Sequence, residues 1–149
     1  MSINVVCKNP DAYRDYEIIE KYEAGLVLLG SEVKSLRNGA ASIKEAYVKI
    51  ENGEAFLVNS HIADYKAASI LNHKPNRKRK LLLKKKEIER LNGKTTLKGY
   101  TIVPIQIYFK DGLAKIEIGL GRGKQKTDKR EAIREKEEKR RLQRVMKPR

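Results

Sequence analysis

The chain has 149 residues, of which 40% are hydrophobic and 36% charged, and its 34 Lys+Arg against 19 Asp+Glu give a formal net charge of +15. That length holds one domain with a real core plus an appendage, and a single cysteine, Cys7, excludes an internal disulfide framework and fits a reducing cytosol. With no apolar span, signal peptide or lipidation motif, a membrane is not the expected partner; nucleic acid is.

Taken in order, Tyr16, Ile18, Glu20 and Tyr22 alternate along a first strand over Tyr13–Tyr22, and Glu23-Ala24-Gly25 is expected to turn into a second over Leu26–Leu29. A helix is predicted over Ser31–Arg37, capped by Ser31, with Val33 and Leu36 at helical spacing and Asn38-Gly39 as its stop. Asn52-Gly53 joins Ala46–Glu51 to Glu54–Asn59 as a tight hairpin, because both residues tolerate the positive φ that such turns need. A second helix is predicted from about Lys84 to Leu91, burying Ile88 and Leu91 and ending at Asn92-Gly93. Asp111-Gly112 marks a second hairpin between Tyr100–Lys110 and Leu113–Leu120, where Ala114, Ile116, Ile118 and Leu120 alternate with polar residues or glycine. Pro104 lacks an N–H, so that strand is expected at an edge or with a bulge. Five or six short antiparallel strands with small helices in the connections predict a mainly β fold, a compact barrel over residues 1–120.

The last 29 residues, 121–149, form a second unit of different character. They hold 13 Lys/Arg against 5 Asp/Glu and few apolar side chains, too little to offset the entropy of ordering. This tail is expected to be disordered when free and helical when bound, capped at Asp128 and supported by Glu135–Lys139 and Glu137–Arg141 pairs. The alternating glycines of Gly119-Leu120-Gly121-Arg122-Gly123-Lys124 mimic a phosphate loop, but Gln125 stands where Ser or Thr is required; they are read instead as the end of a strand and the root of the tail.

No enzyme is expected. His61 and His73 are the only histidines and neither has a metal-type residue at ligand spacing, so no metal or cofactor is predicted. The informative cluster is basic: Lys74, Arg77, Lys78, Arg79, Lys80, Lys84, Lys85 and Lys86 occur without an acid between them. This segment is read as a loop leading into a helix, anchored by Leu81-Leu82-Leu83, with its cations fixed for structured RNA.

Several of these segments resemble the SsrA-binding protein family, the partners of transfer-messenger RNA. They are Gly30-Ser31-Glu32-Val33-Lys34-Ser35-Leu36-Arg37, Gly53-Glu54-Ala55-Phe56, Arg79-Lys80-Leu81-Leu82-Leu83 with Glu87-Ile88, Gly99-Tyr100-Thr101-Ile102-Val103-Pro104, and Gly123-Lys124-Gln125-Lys126-Thr127-Asp128-Lys129-Arg130. The resemblance runs from about Asn9 onward. It implies an oligonucleotide-binding-type barrel, monomeric and cytoplasmic, that grips the tRNA-like domain of transfer-messenger RNA and is delivered with elongation factor Tu to a stalled ribosome. There the tail would enter the decoding centre and the empty messenger channel, against ribosomal RNA.

Residue by residue, the resemblance assigns RNA contact to Asn9, Glu32, Lys34, Arg37, Arg79 and Lys80, and Lys78 of the basic run is expected to join them. As a first-turn carboxylate, Glu32 can also stabilise its helix or hold a neighbouring arginine. Decoding-centre contact falls to Lys124, Lys126, Thr127, Asp128, Lys129, Arg130 and Arg134. Gln125 replaces a lysine of the family pattern and Thr127 a ring, so Thr127 offers a hydroxyl in place of stacking. A ribosomal or ribosome-assembly protein binding ribosomal RNA is the alternative that composition also allows.

Overall fold

The computed structural model describes residues 3–65, 73–97 and 99–123. Among these, nine strands and three helices follow in the order β1 (Ile3–Lys8), α1 (Ala12–Asp15), β2 (Tyr16–Leu26), α2 (Gly30–Arg37), β3 (Ala41–Ser42), β4 (Tyr47–Glu51), β5 (Glu54–Val58), β6 (His61–Ile62), β7 (Arg79–Leu82), α3 (Lys85–Thr95), β8 (Tyr100–Lys110) and β9 (Leu113–Gly123). The main sheet runs β1-β8-β4-β5-β7-β2-β9, and β9 pairs back with β8. Six strands therefore close into an antiparallel barrel, with β1 added to the far half of β8 and the pair β3–β6 outside the ring. The mainly β barrel read from the sequence is what folds.

The interior is filled by alternate residues of each strand, including Val48, Ala55, Leu57, Leu81, Ile102, Ile107, Ile116, Ile118 and Leu120, with Leu36 of α2 and Leu91 of α3 packed onto them. Both hairpins form where expected: Asn52 and Gly53 have φ of 51° and 75°, and Asp111 and Gly112 have 52° and 80°. Pro104 sits at a register shift between β8 and β9, so a bulge accommodates it within a strand that has neighbours on both sides.

Four local readings are corrected. The strand does not turn at Glu23-Ala24-Gly25; β2 is continuous, and Gly25 serves contact instead, since a Cβ there would lie 3.2 Å from the Leu82 Cβ. Ser31 is inside α2 rather than capping it; Leu29 flanks the helix, and its N–H donates to the Glu32 carboxylate at 2.8 Å. α3 continues through Asn92-Gly93 to Thr95, whose hydroxyl donates to the Leu91 carbonyl at 2.9 Å. Gly119 and Gly121 do not end the strand: β9 runs to Gly123, three residues beyond the expected boundary, and is paired to β2 from Lys115 to Gly123. Glycine is needed there for close approach, because a Cβ on Gly119 would lie 2.9 Å from Ile18 Cγ2 and one on Gly121 3.0 Å from Tyr16 Cβ.

Candidate nucleic-acid interface

The basic run begins in a turn and ends in the first turn of α3, as expected, but the short strand β7 (Arg79–Leu82) lies between them, and alternation around Arg79 sends neighbouring cations to opposite sides. Lys78 and Lys80 point outward and are exposed, whereas Arg79 and Leu81 point inward and are buried. Arg79 has no exposed surface. Its guanidinium is fully engaged: Nε donates to Glu32 Oε2 at 2.6 Å, Nη1 to Ser60 Oγ at 2.9 Å and to the Arg77 carbonyl at 2.8 Å, and Nη2 to the Pro75 carbonyl at 3.0 Å.

Glu32 is equally buried, and from the first turn of α2 it receives Arg79, Arg77 at 2.6 Å and the Leu29 N–H. Burial works to raise its pKa, but the hydrogen bonds from Arg77 and Leu29 and the charge of Arg79 outweigh that and hold it below the ordinary carboxylate value. Burial lowers the Arg79 pKa against the opposing charge of Glu32, and a guanidinium this basic stays a cation. Beside this pair, His73 Nδ1 is bonded to the Ser31 hydroxyl at 2.8 Å and Nε2 donates to the Ile62 carbonyl at 2.8 Å. Together these groups fasten the start of α2, the turn after β5 and the segment entering β7 into one junction.

The expected contact residues are thus separated by the fold. Glu32 and Arg79 are brought together as an ion pair, and neither has exposed surface in this arrangement. Arg79 is therefore not one of the surface cations of this segment. Lys80 lies on the outer face of β7 and Lys78 immediately precedes the strand, paired with Glu54 at 3.3 Å and Glu51 at 2.6 Å respectively. Lys34 and Arg37 are exposed one turn apart on α2, over the rings of Tyr65 and Phe109, each 5.5 Å from the centroid. Asn9 is occupied locally: its amide nitrogen donates to the Pro104 carbonyl at 3.0 Å and its oxygen accepts the Asp11 N–H at 3.1 Å. Lys124, Lys126, Thr127, Asp128, Lys129, Arg130 and Arg134 lie outside the described residues.

Sequence reasoning missed Arg77, Ser60, Ser31 and His73 as parts of this junction. Arg77 lies two residues before β7 and is one-third exposed, and no local pattern marks it as a partner of Glu32, 45 positions away. Among the described residues no group of three or more His, Cys, Asp or Glu is placed to hold a metal ion, and no helix is long and apolar enough to cross a membrane.

Comparison with known proteins bears on this arrangement directly. The family model described as "SmpB protein" matches residues 6–148. The chain belongs to the SmpB family. Among curated relatives, the SsrA-binding protein of Sulfurihydrogenibium sp. (strain YO3AOP1) is 57% identical over 147 residues, covering 99% of this chain and 97% of that protein. The SsrA-binding protein of Persephonella marina is 56% identical over 142 residues, covering 95% and 93%. A solved chain from a structure described as "tmRNA-SmpB: a journey to the center of the bacterial ribosome" is 49% identical, with a TM-score of 0.69 over 85% of this chain and 93% of its own. The buried junction is built from the family-like segments at Gly30–Arg37 and Arg79–Leu83, so those motifs here encode architecture as much as contact.

Proposed function

We propose that this protein is an RNA-binding factor of trans-translation, binding transfer-messenger RNA and acting with it on the ribosome. The observation that carries this reading is the near-full-length match to SsrA-binding proteins, joined to a solved relative whose description sets transfer-messenger RNA and SmpB in the bacterial ribosome. The geometry supplies the means: a closed barrel with outward Lys78, Lys80, Lys34 and Arg37, and Arg77 held one-third exposed by Glu32. These five meet the phosphates of the tRNA-like domain, while Glu32 and Arg79 set the path of β7 without touching RNA. The chain leaves β9 at Gly123, and residues 124–149 extend from there into the decoding centre and messenger channel, with Lys124, Lys126, Lys129, Arg130 and Arg134 on ribosomal RNA. Delivery with elongation factor Tu completes the reading.

Gel shifts of full-length protein on transfer-messenger RNA at two ionic strengths test it. If about five phosphates are neutralised, a fourfold rise in salt weakens binding roughly 500-fold. Sequencing the RNA that co-purifies at moderate salt separates the readings: a discrete transfer-messenger RNA supports this one, and bulk ribosomal RNA alone supports a ribosomal subunit protein.

A further inference from the structure

We propose that the outer face of β4, β5 and β7 is a stacking platform for an unpaired RNA base, with Phe56 as the ring and Lys49, Lys78 and Lys80 as its phosphate-seeking cations. The inference rests on the RNA-binding reading above and adds a site to it. Strand register sets Phe56 opposite Lys49 on one side and opposite Lys80 on the other, so the ring lies in a row between two lysines. Lys78 completes the group, its ammonium 4.3 Å from the ring centroid. Tyr47, 39% exposed, stands two residues from Lys49 on the same face. The inward positions of these strands are already filled by Val48, Ala55, Leu57 and Leu81. Phe56 is therefore an aromatic placed outside a complete core.

The lysines are currently held by carboxylates at the tip of the β4–β5 hairpin. Glu51 accepts Lys78 at 2.6 Å and Lys49 at 3.1 Å, and Glu54 accepts Lys80 at 3.3 Å. Every partner in these pairs is a third to a half exposed or more, the regime in which ion pairs contribute little, and a cation over a partly exposed ring contributes little as well. A nucleobase on an aromatic ring contributes more than either. The exchange is then favourable: a base takes the place of the Lys78 ammonium, and Lys78 swings to the adjoining phosphate. Three cations against two carboxylates on this face, in a chain of net charge +15, favour a polyanion over a protein partner. Because every base has a π-face, the platform selects unpaired RNA without reading its sequence.

The test uses full-length protein and two fluorescein-labelled probes, a short single-stranded oligouridylate and a blunt RNA duplex. Phe56→Leu keeps the apolar contact and removes the ring; it is expected to weaken single-strand binding about 5- to 100-fold, with duplex binding changed less than about twofold, and Phe56→Trp is expected to restore it. Lys78→Gln, which leaves the ring intact, is expected to lower the salt slope on the single strand by about one phosphate. A Phe56→Leu protein with unchanged melting and unchanged oligouridylate affinity overturns the platform. So does one whose RNA binding is intact but whose ribosome association is lost, which assigns the face to a protein. Failure of the wild-type chain to bind transfer-messenger RNA would instead overturn the functional reading on which the platform stands.

Discussion

Replacing Glu32 by glutamine preserves the side chain's shape and removes one charge from the interior. Arg79 then remains a cation with no exposed surface and no counter-charge in contact. Breaking a buried pair in this way costs about 3–5 kcal/mol. The lower end applies here, since Arg79 keeps its bonds to Ser60, Arg77 and Pro75, although glutamine's one oxygen can accept either the Leu29 N–H or Arg79 Nε–H and not both. Arg77 adds little to the loss, because it is one-third exposed and solvent replaces its partner. A domain of this size loses about 3–5 °C of melting temperature per kcal/mol, so a drop of roughly 10–15 °C is expected. Circular dichroism melting of full-length Glu32→Gln and wild type at neutral pH reads it directly. A variant that melts within about 2 °C of wild type refutes the claim that this pair holds the junction. A double-mutant cycle with Arg79→Met sharpens the test, with an expected coupling of about 1–3 kcal/mol between the two sites.

Acid should unfold the barrel through the same carboxylates. Glu20 is held down to about 2 by hydrogen bonds from Arg90 and Tyr22, Glu23 is lowered by the Tyr108 hydroxyl, and Glu32 is lowered as described. The folded state binds these protons less readily than the unfolded chain. Their contribution is therefore complete above the unfolded value of about 4.3 and lost as pH falls through the folded values, so melting temperature should hold between about pH 5 and 7 and decline below about pH 4, less steeply in Glu32→Gln. Glycine substitutions should split by sign: Gly119→Ala forces a Cβ to 2.9 Å from Ile18 and is expected to cost about 1–3 kcal/mol, whereas Gly93→Ala meets nothing within 4 Å inside α3 and is expected to gain about 0.5–1 kcal/mol, both measured by urea unfolding. Truncation after Gly123, which spares every described pairing of β9, should leave the melting temperature unchanged while abolishing peptide tagging on stalled ribosomes; truncation after Gly119 should destabilise the barrel.

Where a signal was local, the sequence carried it. Asn52-Gly53 and Asp111-Gly112 specify their hairpins because positive φ is decided within the turn itself. The alternation of Ile116, Ile118 and Leu120 specifies a strand, but not its second covered face: Ile118 to Gly121 are all buried, Gly119 against Ile18 and Ile105. Glycine misled wherever its use was tertiary. Gly25 faces Leu82 from β7, and Gly119 and Gly121 face Ile18 and Tyr16 from β2, contacts that no local pattern announces. Gly93 was read as a stop, yet α3 passes through it, because an exposed glycine costs a helix only about 1 kcal/mol and threonine hydroxyls secure the end. At the interface, Lys34, Arg37, Lys78 and Lys80 were legible as exposed cations, while the burial of Glu32 and Arg79 was not. A charged residue reads as surface unless its partner is known, and these partners lie 47 positions apart.

The same fact explains why the basic run resists interpretation as a simple patch. In Lys78-Arg79-Lys80 the residue type follows the side of the chain: arginine inward, lysine outward. Arginine suits the interior because its planar fork can satisfy several acceptors at once, and Arg79 finds Glu32, Ser60, Arg77 and Pro75. Lysine suits the exterior because a hydrated ammonium on a flexible stem can leave a surface carboxylate for a phosphate at little cost. An exchange of the two types, Arg79→Lys together with Lys80→Arg, keeps net charge and composition and inverts the arrangement. One ammonium cannot replace a fork that meets four residues, so this swap should destabilise the junction while leaving the outward charge in place. A merely additive patch of positive charge predicts no change at all.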